Sequence, residues 1–432
     1  MLQGVIPQRK HEFNATLDTI VPSRYNPLTT LSDTRHPDAG AAANSEEIPV
    51  NQSTLGTRVR GLAVIATAAI LFAACSSGST ASSSAAASDA ATASGAATGS
   101  GAATGSGAAT GPIGVTLITK TSTNPFFVAM AKGAKDSADK LGITLTTAAG
   151  KEDGDTATQI TAIENAISKG DKGILITPSG PDVNPAIKKA RDAGLFVIAL
   201  DTPPDPADTV DITFATDNFE AGKLIGQWTA AQLAGKPATI ALLDLFSDKI
   251  VSVDYNRDQG FLTGMGIDTK DPKKNGDEAK TGSYTGGTYE IVCNLPTQGA
   301  EDGGQTAMEN CLSKNPNINV VYTINEPAAN GANKALTSAG KTSGILIVSV
   351  DGGCAGVGLV KSGVIGATSQ QYPLKMASLG VQAISDLATT GAKPAVTSGL
   401  DFFNTGVALV TDKAATGVTS ISSADAAKIC WG

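Results

Sequence analysis

The 432-residue sequence predicts an α/β protein with two similar domains, each built on a doubly wound parallel sheet. From Ile113 onward, apolar β-branched runs typical of buried strands alternate with helical stretches, as in successive βαβ units. The alternation starts again at Ala238. The patterned part of the chain, about 320 residues, is longer than one typical core accommodates, so we expect two cores.

The first recognisable element is a short apolar run, Gly61–Ala74, which follows Arg58 and Arg60 and precedes Cys75. Its positive flank, its small last residues and a length below the roughly 20 residues of a spanning helix indicate a secretory signal. The segment resembles the lipobox of bacterial lipoproteins, although Phe72 stands where Leu is usual. We therefore expect residues 1–74 to be a leader and Cys75 to be lipidated. The alternative is an ordinary signal peptide with a coincidental cysteine.

Cleavage before Cys75 changes the inventory of functional groups. It removes His11 and His36, the two histidines of the chain. Catalysis or zinc binding through histidine is then not expected. Acidic and basic side chains are equal in number in the leader, so the net charge of −8 lies on the exported part. Such an acidic protein is not expected to bind nucleic acid or an anionic bilayer.

Residues 76–112 are almost entirely Ser, Ala, Gly and Thr. A segment of this composition buries too little apolar surface to offset the entropy lost on ordering. We expect residues 75–112 to be a flexible tether that begins at the lipidated cysteine and reaches about 35 Å.

The first set of strands and helices follows the tether. Asn124 and Pro125 supply an N-cap and a first-turn proline for a helix that should end at Gly142. Asp155 caps a second helix in the same way. The predicted strands of this set are 113–118, 143–147, 173–177 and 195–200.

The second set has predicted strands at 238–243, 319–324 and 344–350. It also contains the four remaining cysteines, and an even number in an exported protein predicts two disulfides. Four cysteines allow three pairings, of which we favour Cys293–Cys311 and Cys354–Cys430. A zinc site is the alternative, but the cysteines do not occur in close pairs.

Polar side chains follow several of these strands, where doubly wound sheets bind their ligands. Asp, Asn, Gln and Arg can make paired hydrogen bonds to neighbouring hydroxyl groups, and Phe can cover the apolar face of a sugar ring. The pattern therefore predicts a polyol-binding site. The candidate ligand-binding residues are Asn124, Phe126, Phe127, Asp201, Arg257, Asn325, Asp351 and Gln371.

Simpler roles exist for several of these residues. Asp201 and Asp351 could cap the helices that follow them. At least one of Phe126 and Phe127 should belong to the core, since neighbouring helical positions point about 100° apart. Arg257 could be a solvated helix residue. No glycine-rich phosphate loop follows a strand, so no nucleotide cofactor is expected.

The order of short motifs along residues 113–412 resembles that of ribose/galactose-type sugar-binding proteins of ABC importers. The motifs are Asn-Pro-Phe-Phe at 124–127, Leu-Asp at 200–201, Thr-Asp-Asn at 216–218, Arg-x-x-Gly-Phe at 257–261, Val-x-x-x-Asn-Glu at 321–326, Val-Asp-Gly at 350–352 and Gln-x-Pro at 371–373. The resemblance implies a type I periplasmic-binding-protein-like fold and ligand contacts from the eight candidate residues. It also implies three crossings between the domains, near Asp217, Gln371 and Asn404.

Domain boundaries, partners and location follow from the resemblance. It implies an N-terminal domain at 113–216 plus 372–403 and a C-terminal domain at 217–371 plus 404–432. The implied protein is an extracytoplasmic, lipid-anchored monomer that binds a monosaccharide by hinge closure and delivers it to ABC permease subunits in the membrane. It has no catalytic residue, metal or cofactor. The alternatives are an exported glycosidase that uses Asp201 and Asp351 as its two carboxylates, and a sugar sensor.

Two departures from the pattern of ribose-binding proteins bear on which sugar the protein binds. Thr202 follows Asp201 where ribose binders have Arg. The long polar segment 269–304 replaces one that normally supplies a second aromatic wall, for which Phe246, Tyr284 and Tyr289 are candidates. The cysteine pattern, with Cys354 directly after Val-Asp-Gly-Gly, is most similar to the fructose-binding branch.

Overall fold

The computed structural model describes residues 112–432. The predicted signal peptide, the lipidation site Cys75 and all but the last residue of the predicted tether therefore lie outside the described residues. Within 112–432, no helix combines the length and the apolar composition needed to cross a bilayer.

All seven predicted strands are present, with bounds within about two residues of those expected. Six further strands occur in the described part of the chain, and the sequence pattern did not predict them. The strands are β1 Gly114–Thr119, β2 Thr144–Ala149, β3 Gly173–Ile176, β4 Phe196–Leu200, β5 Ile212–Ala215, β6 Ala238–Asp244, β7 Thr281–Tyr284, β8 Gly287–Pro296, β9 Val320–Thr323, β10 Leu346–Asp351, β11 Ala367–Gln370, β12 Phe403–Asn404 and β13 Ala408–Val410.

Helices connect most of the strands, and both N-caps predicted from the sequence are present. The Asn124 side chain accepts from Phe126 N, and the Asp155 side chain accepts from Thr158 N. The helices are α1 Pro125–Leu141, α2 Thr156–Lys169, α3 Asn184–Asp192, α4 Asn218–Leu233, α5 Ser252–Met265, α6 Glu301–Lys314, α7 Glu326–Ser338, α8 Cys354–Lys361, α9 Pro373–Thr390 and α10 Ser423–Ala426.

The first sheet has the order β12-β5-β4-β3-β1-β2, and each neighbouring pair is parallel. Side chains of α1 and α9 pack on one face, around Met130 and Met376. Side chains of α2 and α3 pack on the other, around Ile163 and Ile187. We call this sheet and these four helices the first lobe.

The second sheet has the order β13-β11-β10-β9-β6-β8-β7. Its centre is parallel, but β13 and β7 at the two edges run antiparallel to their neighbours. The β7–β8 pair is a hairpin in the long polar segment that the sequence pattern left unassigned. Helices α4 and α5 cover one face and α6, α7 and α8 cover the other. We call this sheet, these helices and α10, which packs on α8, the second lobe.

The chain passes between the lobes three times: between β5 and α4, between β11 and α9, and between β12 and β13. Two doubly wound sheets joined by three connections are the fold that the sequence predicted, and the predicted fold class is confirmed.

Helices α4 and α5 approach each other closely because glycines face the opposite backbone. A Cβ atom on Gly222 would lie 2.1 Å from the carbonyl oxygen of Arg257, and one on Gly260 would lie 2.2 Å from that of Phe219. The close approach sets the position of α5, and α5 carries Arg257.

Both favoured disulfides are present. Cys293–Cys311 joins β8 to α6, with a Cα–Cα distance of 5.7 Å. Cys354–Cys430 joins the first residue of α8 to the segment after α10, with a Cα–Cα distance of 5.0 Å. All four cysteines of the described region are therefore paired with each other, and none is left to bind zinc.

Candidate ligand-binding site

A cavity of about 30 Å³ lies between the lobes, where the carboxyl ends of strands from both sheets meet. All eight residues predicted from the sequence line this cavity. Five further residues complete its walls: Lys120, Asp153, Leu245, Val253 and Ile324. The structure thus brings the predicted set together, and the role of its members as ligand contacts remains a prediction.

Phe126 and Phe127 form the aromatic part of the wall. Their ring centroids are 5.4 Å apart and the rings are nearly perpendicular. Both rings are buried in the core of the first lobe, and both also line the cavity. The expectation that at least one belongs to the core is confirmed, and the two roles coexist because the cavity borders that core.

Asp201 directly follows β4 and has a backbone φ of +65°, a conformation that is unusual for a residue other than glycine. Backbone strain of this kind is common at functional sites. Asp201 Oδ2 accepts from the Thr202 hydroxyl at 2.8 Å. The short helical turn that follows has Pro206 as its N-cap, so the helix-cap role considered for Asp201 is wrong.

Arg257 is held by two hydrogen bonds inside the second lobe. Its Nε donates to Asn218 Oδ1 at 2.7 Å, and its Nη1 donates to the carbonyl oxygen of Ile324 at 3.0 Å. Its Nη2 lies 3.7 Å from Asp201 Oδ1 of the first lobe. Arg257 is 5 % exposed, so the alternative of a solvated helix residue is wrong.

Asp351 ends β10 and has a backbone φ of +147°. Its Oδ1 accepts from Gln371 Nε2 at 3.1 Å, and its Oδ2 accepts from Glu326 N at 3.3 Å. The N-cap of the helix after it is Gly353, so Asp351 does not cap that helix. Burial raises the pKa of Asp351 to about 7, although the charge of Arg257 opposes the shift.

Glu326 supports the turn after Asp351. Its carboxylate accepts from the backbone N–H groups of Gly352 at 2.9 Å and Gly353 at 3.1 Å, and from the Thr368 hydroxyl at 2.9 Å. Burial and the negative charge of Asp351 raise the pKa of Glu326 to about 8.

Asn325 lines the cavity but also serves the fold. Its Oδ1 accepts from Ala328 N at 3.1 Å as the N-cap of α7, and its Nδ2 donates to the carbonyl oxygen of Gly299 at 2.9 Å. Both polar atoms of the Asn325 side chain therefore already have partners in the protein.

Lys120 and Asp153 are site residues that the sequence reasoning missed. Lys120 directly follows β1, is 2 % exposed, and places its Nζ 3.7 Å from Asp153 Oδ2. Burial raises the pKa of Asp153, while the Lys120 charge opposes the rise. The position of Lys120 at the end of a strand was the available signal, and it is the same signal that indicated Asp201 and Asp351.

The expected aromatic wall from the second lobe is absent from the lining of this cavity. Tyr284 and Tyr289 are buried in the core instead, where their hydroxyl groups donate to the carbonyl oxygens of Lys236 and Ala279. Phe246 packs in a neighbouring apolar cluster. The second lobe lines the cavity with the aliphatic side chains of Leu245, Val253 and Ile324.

Three oxygen atoms of the cavity-lining residues are buried without a hydrogen-bond partner among residues 112–432: Asp153 Oδ1, Asp201 Oδ1 and Gln371 Oε1. Buried polar atoms in folded proteins are normally hydrogen-bonded. These acceptors, with the cationic groups of Lys120 and Arg257 and the two phenylalanine rings, suit a compact ligand with several hydroxyl groups and an apolar face.

Comparison with known proteins bears on this geometry. Residues 113–393 match the periplasmic binding protein domain family. The ribose import binding protein of Salmonella typhimurium is 29% identical over 280 residues, which cover 65% of this chain and 86% of that protein. The D-allose-binding periplasmic protein of Escherichia coli is 25% identical over 282 residues, covering 64% of this chain and 84% of that protein.

A solved structure of a sugar-bound protein is also similar to this chain. An ABC transporter solute-binding protein from Agrobacterium vitis, crystallised with bound D-fucose, is 25% identical and superposes with a TM-score of 0.58. The superposition covers 69% of this chain and 95% of that one. The chain therefore belongs to the periplasmic binding protein domain family, which confirms the resemblance predicted from its ordered motifs and, with it, a binding protein rather than an enzyme.

Proposed function

We propose that this protein is the extracytoplasmic substrate-binding component of an ABC sugar importer and binds one monosaccharide in the cavity between its lobes. The observation that carries the proposal is the set of unpartnered buried oxygens on Asp153, Asp201 and Gln371, which share a cavity with Lys120 and Arg257. Sugar hydroxyl groups would donate to these oxygens and accept from the two cationic side chains.

The walls of the cavity favour a single sugar ring. Phe126 and Phe127 provide the apolar surface that the C–H face of a sugar needs. The names of the relatives, for ribose and D-allose, and the D-fucose-bound structure support a monosaccharide. We propose fructose or another hexose or pentose.

Binding would proceed by closure of the two lobes about their three connections. We propose that the lobes correspond to domains at 113–216 plus 372–403 and at 217–371 plus 404–432. Contacts outside the cavity already join the lobes: Lys273 Nζ lies 2.7 Å from Asp205 Oδ2, and Lys249 Nζ donates to the carbonyl oxygen of Gly154 at 3.2 Å. The ligand would then be enclosed and presented to permease subunits by a monomer.

Attachment to the membrane rests on the sequence pattern around Cys75. We propose that a lipid on this residue holds the protein at the outer surface of the cell membrane. A Cys75→Ser variant expressed in the native host should move from the membrane fraction to the soluble exported fraction. Retention of that variant at the membrane would refute lipid anchoring without affecting the binding proposal.

Isothermal titration calorimetry of the exported chain against separate pentoses and hexoses tests the proposed function. We expect saturable binding of at least one sugar, and loss of that binding in Asp201→Ala. Asp248→Ala, at an exposed position of the second lobe, is the control and should bind as the wild type does. Failure of the wild type to bind any monosaccharide would overturn the proposal.

A further inference from the structure

Trp431 belongs by its backbone to the second lobe. It follows Cys430, whose disulfide partner Cys354 is the first residue of α8. In addition, Cys354 N donates to the carbonyl oxygen of Trp431 at 2.8 Å. The disulfide of the preceding residue and one hydrogen bond of its own therefore hold Trp431 at the start of α8, directly after the Asp351–Gly353 turn.

The ring of Trp431, in contrast, lies in the core of the first lobe. It packs edge-on against Phe126, with the ring centroids 5.4 Å apart, and the residue is 6 % exposed. Its indole N–H donates to the carbonyl oxygen of Gln371 at 2.9 Å, at the point where the chain passes between the lobes. The ring thus touches a phenylalanine that lines the ligand cavity.

The lack of a side chain on Gly353 helps to make room for this ring. A Cβ atom on Gly353 would lie 3.3 Å from two carbons of the Trp431 ring, which is tighter than most contacts of this type. The ring is therefore closely packed on both sides, between the turn after Asp351 and the side chain of Phe126.

We propose that Trp431 is a latch that holds the cleft closed on its ligand, and that the Cys354–Cys430 disulfide positions this latch. The inference rests on the proposed function, because it requires the lobes to separate when the sugar leaves. A residue attached to one lobe and inserted into the other must withdraw as the cleft opens. Withdrawal exposes the indole to water, separates it from Phe126 and breaks the hydrogen bond to Gln371. Opening is slowed, and the sugar stays bound for longer.

Fluorescence provides the first test, because the chain contains two tryptophans. The other, Trp228, is buried in the second lobe, and Trp228→Phe leaves Trp431 as the sole tryptophan. Addition of the sugar identified by calorimetry should shift the Trp431 emission to the blue and reduce its quenching by acrylamide. Unchanged emission and quenching at saturating sugar would contradict the latch.

Stopped-flow kinetics provide the second test. Trp431→Ala should raise the dissociation rate of the sugar roughly ten-fold with little change in the association rate, the size expected for one aromatic pair and one hydrogen bond. Trp431→Phe, which keeps the aromatic contact but lacks the indole N–H, should give an intermediate rate. A general loss of stability would not produce this graded effect on dissociation alone.

The two disulfides offer a matched comparison. The double variant Cys354→Ser with Cys430→Ser should raise the dissociation rate as Trp431→Ala does. The variant Cys293→Ser with Cys311→Ser loses a disulfide between β8 and α6, away from the latch, and should keep the wild-type rate while circular dichroism confirms its fold. Equal dissociation rates in Trp431→Ala and the wild type would overturn the latch alone. Absence of sugar binding to the wild type in calorimetry would overturn the proposed function and the latch with it.

Discussion

Arg257 owes its place in the cavity to groups that hold it from behind. Asn218 at the start of α4 and the carbonyl oxygen of Ile324 accept from Nε and Nη1, and Nη2 faces Asp201 across the cleft. A planar guanidinium group satisfies these acceptors together, whereas an ammonium group cannot match their geometry. The residue can therefore present a fixed donor to a ligand hydroxyl group without reorganisation.

Arg257→Lys should lower sugar affinity about 30-fold or more, because losing the hydrogen bonds of a buried charged group costs about 2–5 kcal/mol. Arg191→Lys is the matched control: Arg191 pairs with Asp211 on the surface of the first lobe. Calorimetry should show wild-type affinity for the control. An Arg257→Lys protein with wild-type affinity would show that the site is misplaced.

Asp244, at the end of β6, illustrates a buried carboxyl group whose surroundings disfavour its charged form. Neither of its carboxylate oxygens has a hydrogen-bond partner in the described region, and the residue is fully buried. Burial, followed by the negative charges of Asp258 and Asp254, raises the pKa of Asp244 well above 3.8. The folded protein therefore retains a proton here that the unfolded chain releases. The contribution of Asp244 to the free energy of unfolding is therefore greatest in acid. It is lost as the pH rises from 3.8 through the raised pKa of the folded state.

Asp244→Asn should raise the free energy of unfolding at pH 8 by about 1–3 kcal/mol, because an amide has no charge to bury. The gain should shrink towards pH 4, where the wild-type carboxyl is protonated. Urea denaturation at several pH values measures both effects. Asp248→Asn, at an exposed position, should change neither the free energy of unfolding nor its dependence on pH. A gain that does not vary with pH would contradict the assignment.

At the level of elements, the α4–α5 pair shows how small residues position a side chain of the predicted site. The helices touch backbone to backbone through Gly222 and Gly260, so α5 lies close enough to α4 for Arg257 to reach Asn218. Helix propensity alone would favour alanine at these positions, by about 1 kcal/mol. The close packing that follows from glycine outweighs that preference.

Gly260→Ala should destabilise the protein by about 1–3 kcal/mol, because its Cβ atom would lie 2.2 Å from the carbonyl oxygen of Phe219 and force α5 outwards. The same shift should weaken sugar binding through Arg257. Gly358→Ala in α8 has no atom within 4 Å of the new Cβ and should be neutral or stabilising by up to about 1 kcal/mol. Urea denaturation and calorimetry test the pair, and equal effects of the two substitutions would refute the packing argument.

At the level of the whole molecule, the cavity exists because two lobes face each other across three connections. Asp201 and Arg257 come from opposite lobes, as do Phe126 and Trp431. Separation of the lobes would take the site apart without unfolding either core. Ligand binding and lobe closure are thus expected to be one event.

Small-angle X-ray scattering of the exported chain should show a smaller radius of gyration when the sugar identified by calorimetry is added at saturation. The physical reason is that a bound ligand stabilises the closed state by its extra contacts there. The Arg257→Lys variant at the same sugar concentration should remain at the ligand-free value. An unchanged radius in the wild type would argue for a rigid site.

Much of the site was predictable from local sequence because strand ends are visible in the sequence. Asp201 and Asp351 directly follow apolar runs, and both line the cavity. Lys120 follows β1 in the same way but was missed, since lysine is almost never fully buried unless it is paired. Its partner Asp153 lies in the loop after β2, and its approach to Lys120 depends on the path of that loop.

The second aromatic wall expected from the sequence is a feature that local sequence could not predict correctly. Tyr284 and Tyr289 belong to the β7–β8 hairpin, and alternate residues of a strand point to opposite faces. Which face meets the core depends on the hairpin register and on the sheet edge it joins. The polar composition of the segment indicated neither the hairpin register nor the sheet edge. In the structure both tyrosines are buried away from the cavity.

The sequence by itself determined seven of the strands from Ile113 onward, the N-caps at Asn124 and Asp155, and the family to which the chain belongs. These properties depend on neighbouring residues and on the order of motifs, which the chain carries directly. Tertiary structure alone decided that Asp201 faces Arg257, that Lys120 is buried beside Asp153, and that Trp431 packs on Phe126. Each of these contacts depends on the paths of loops or on how the two sheets approach each other. Both are set by residues far apart in the sequence, so no local sequence pattern predicts them.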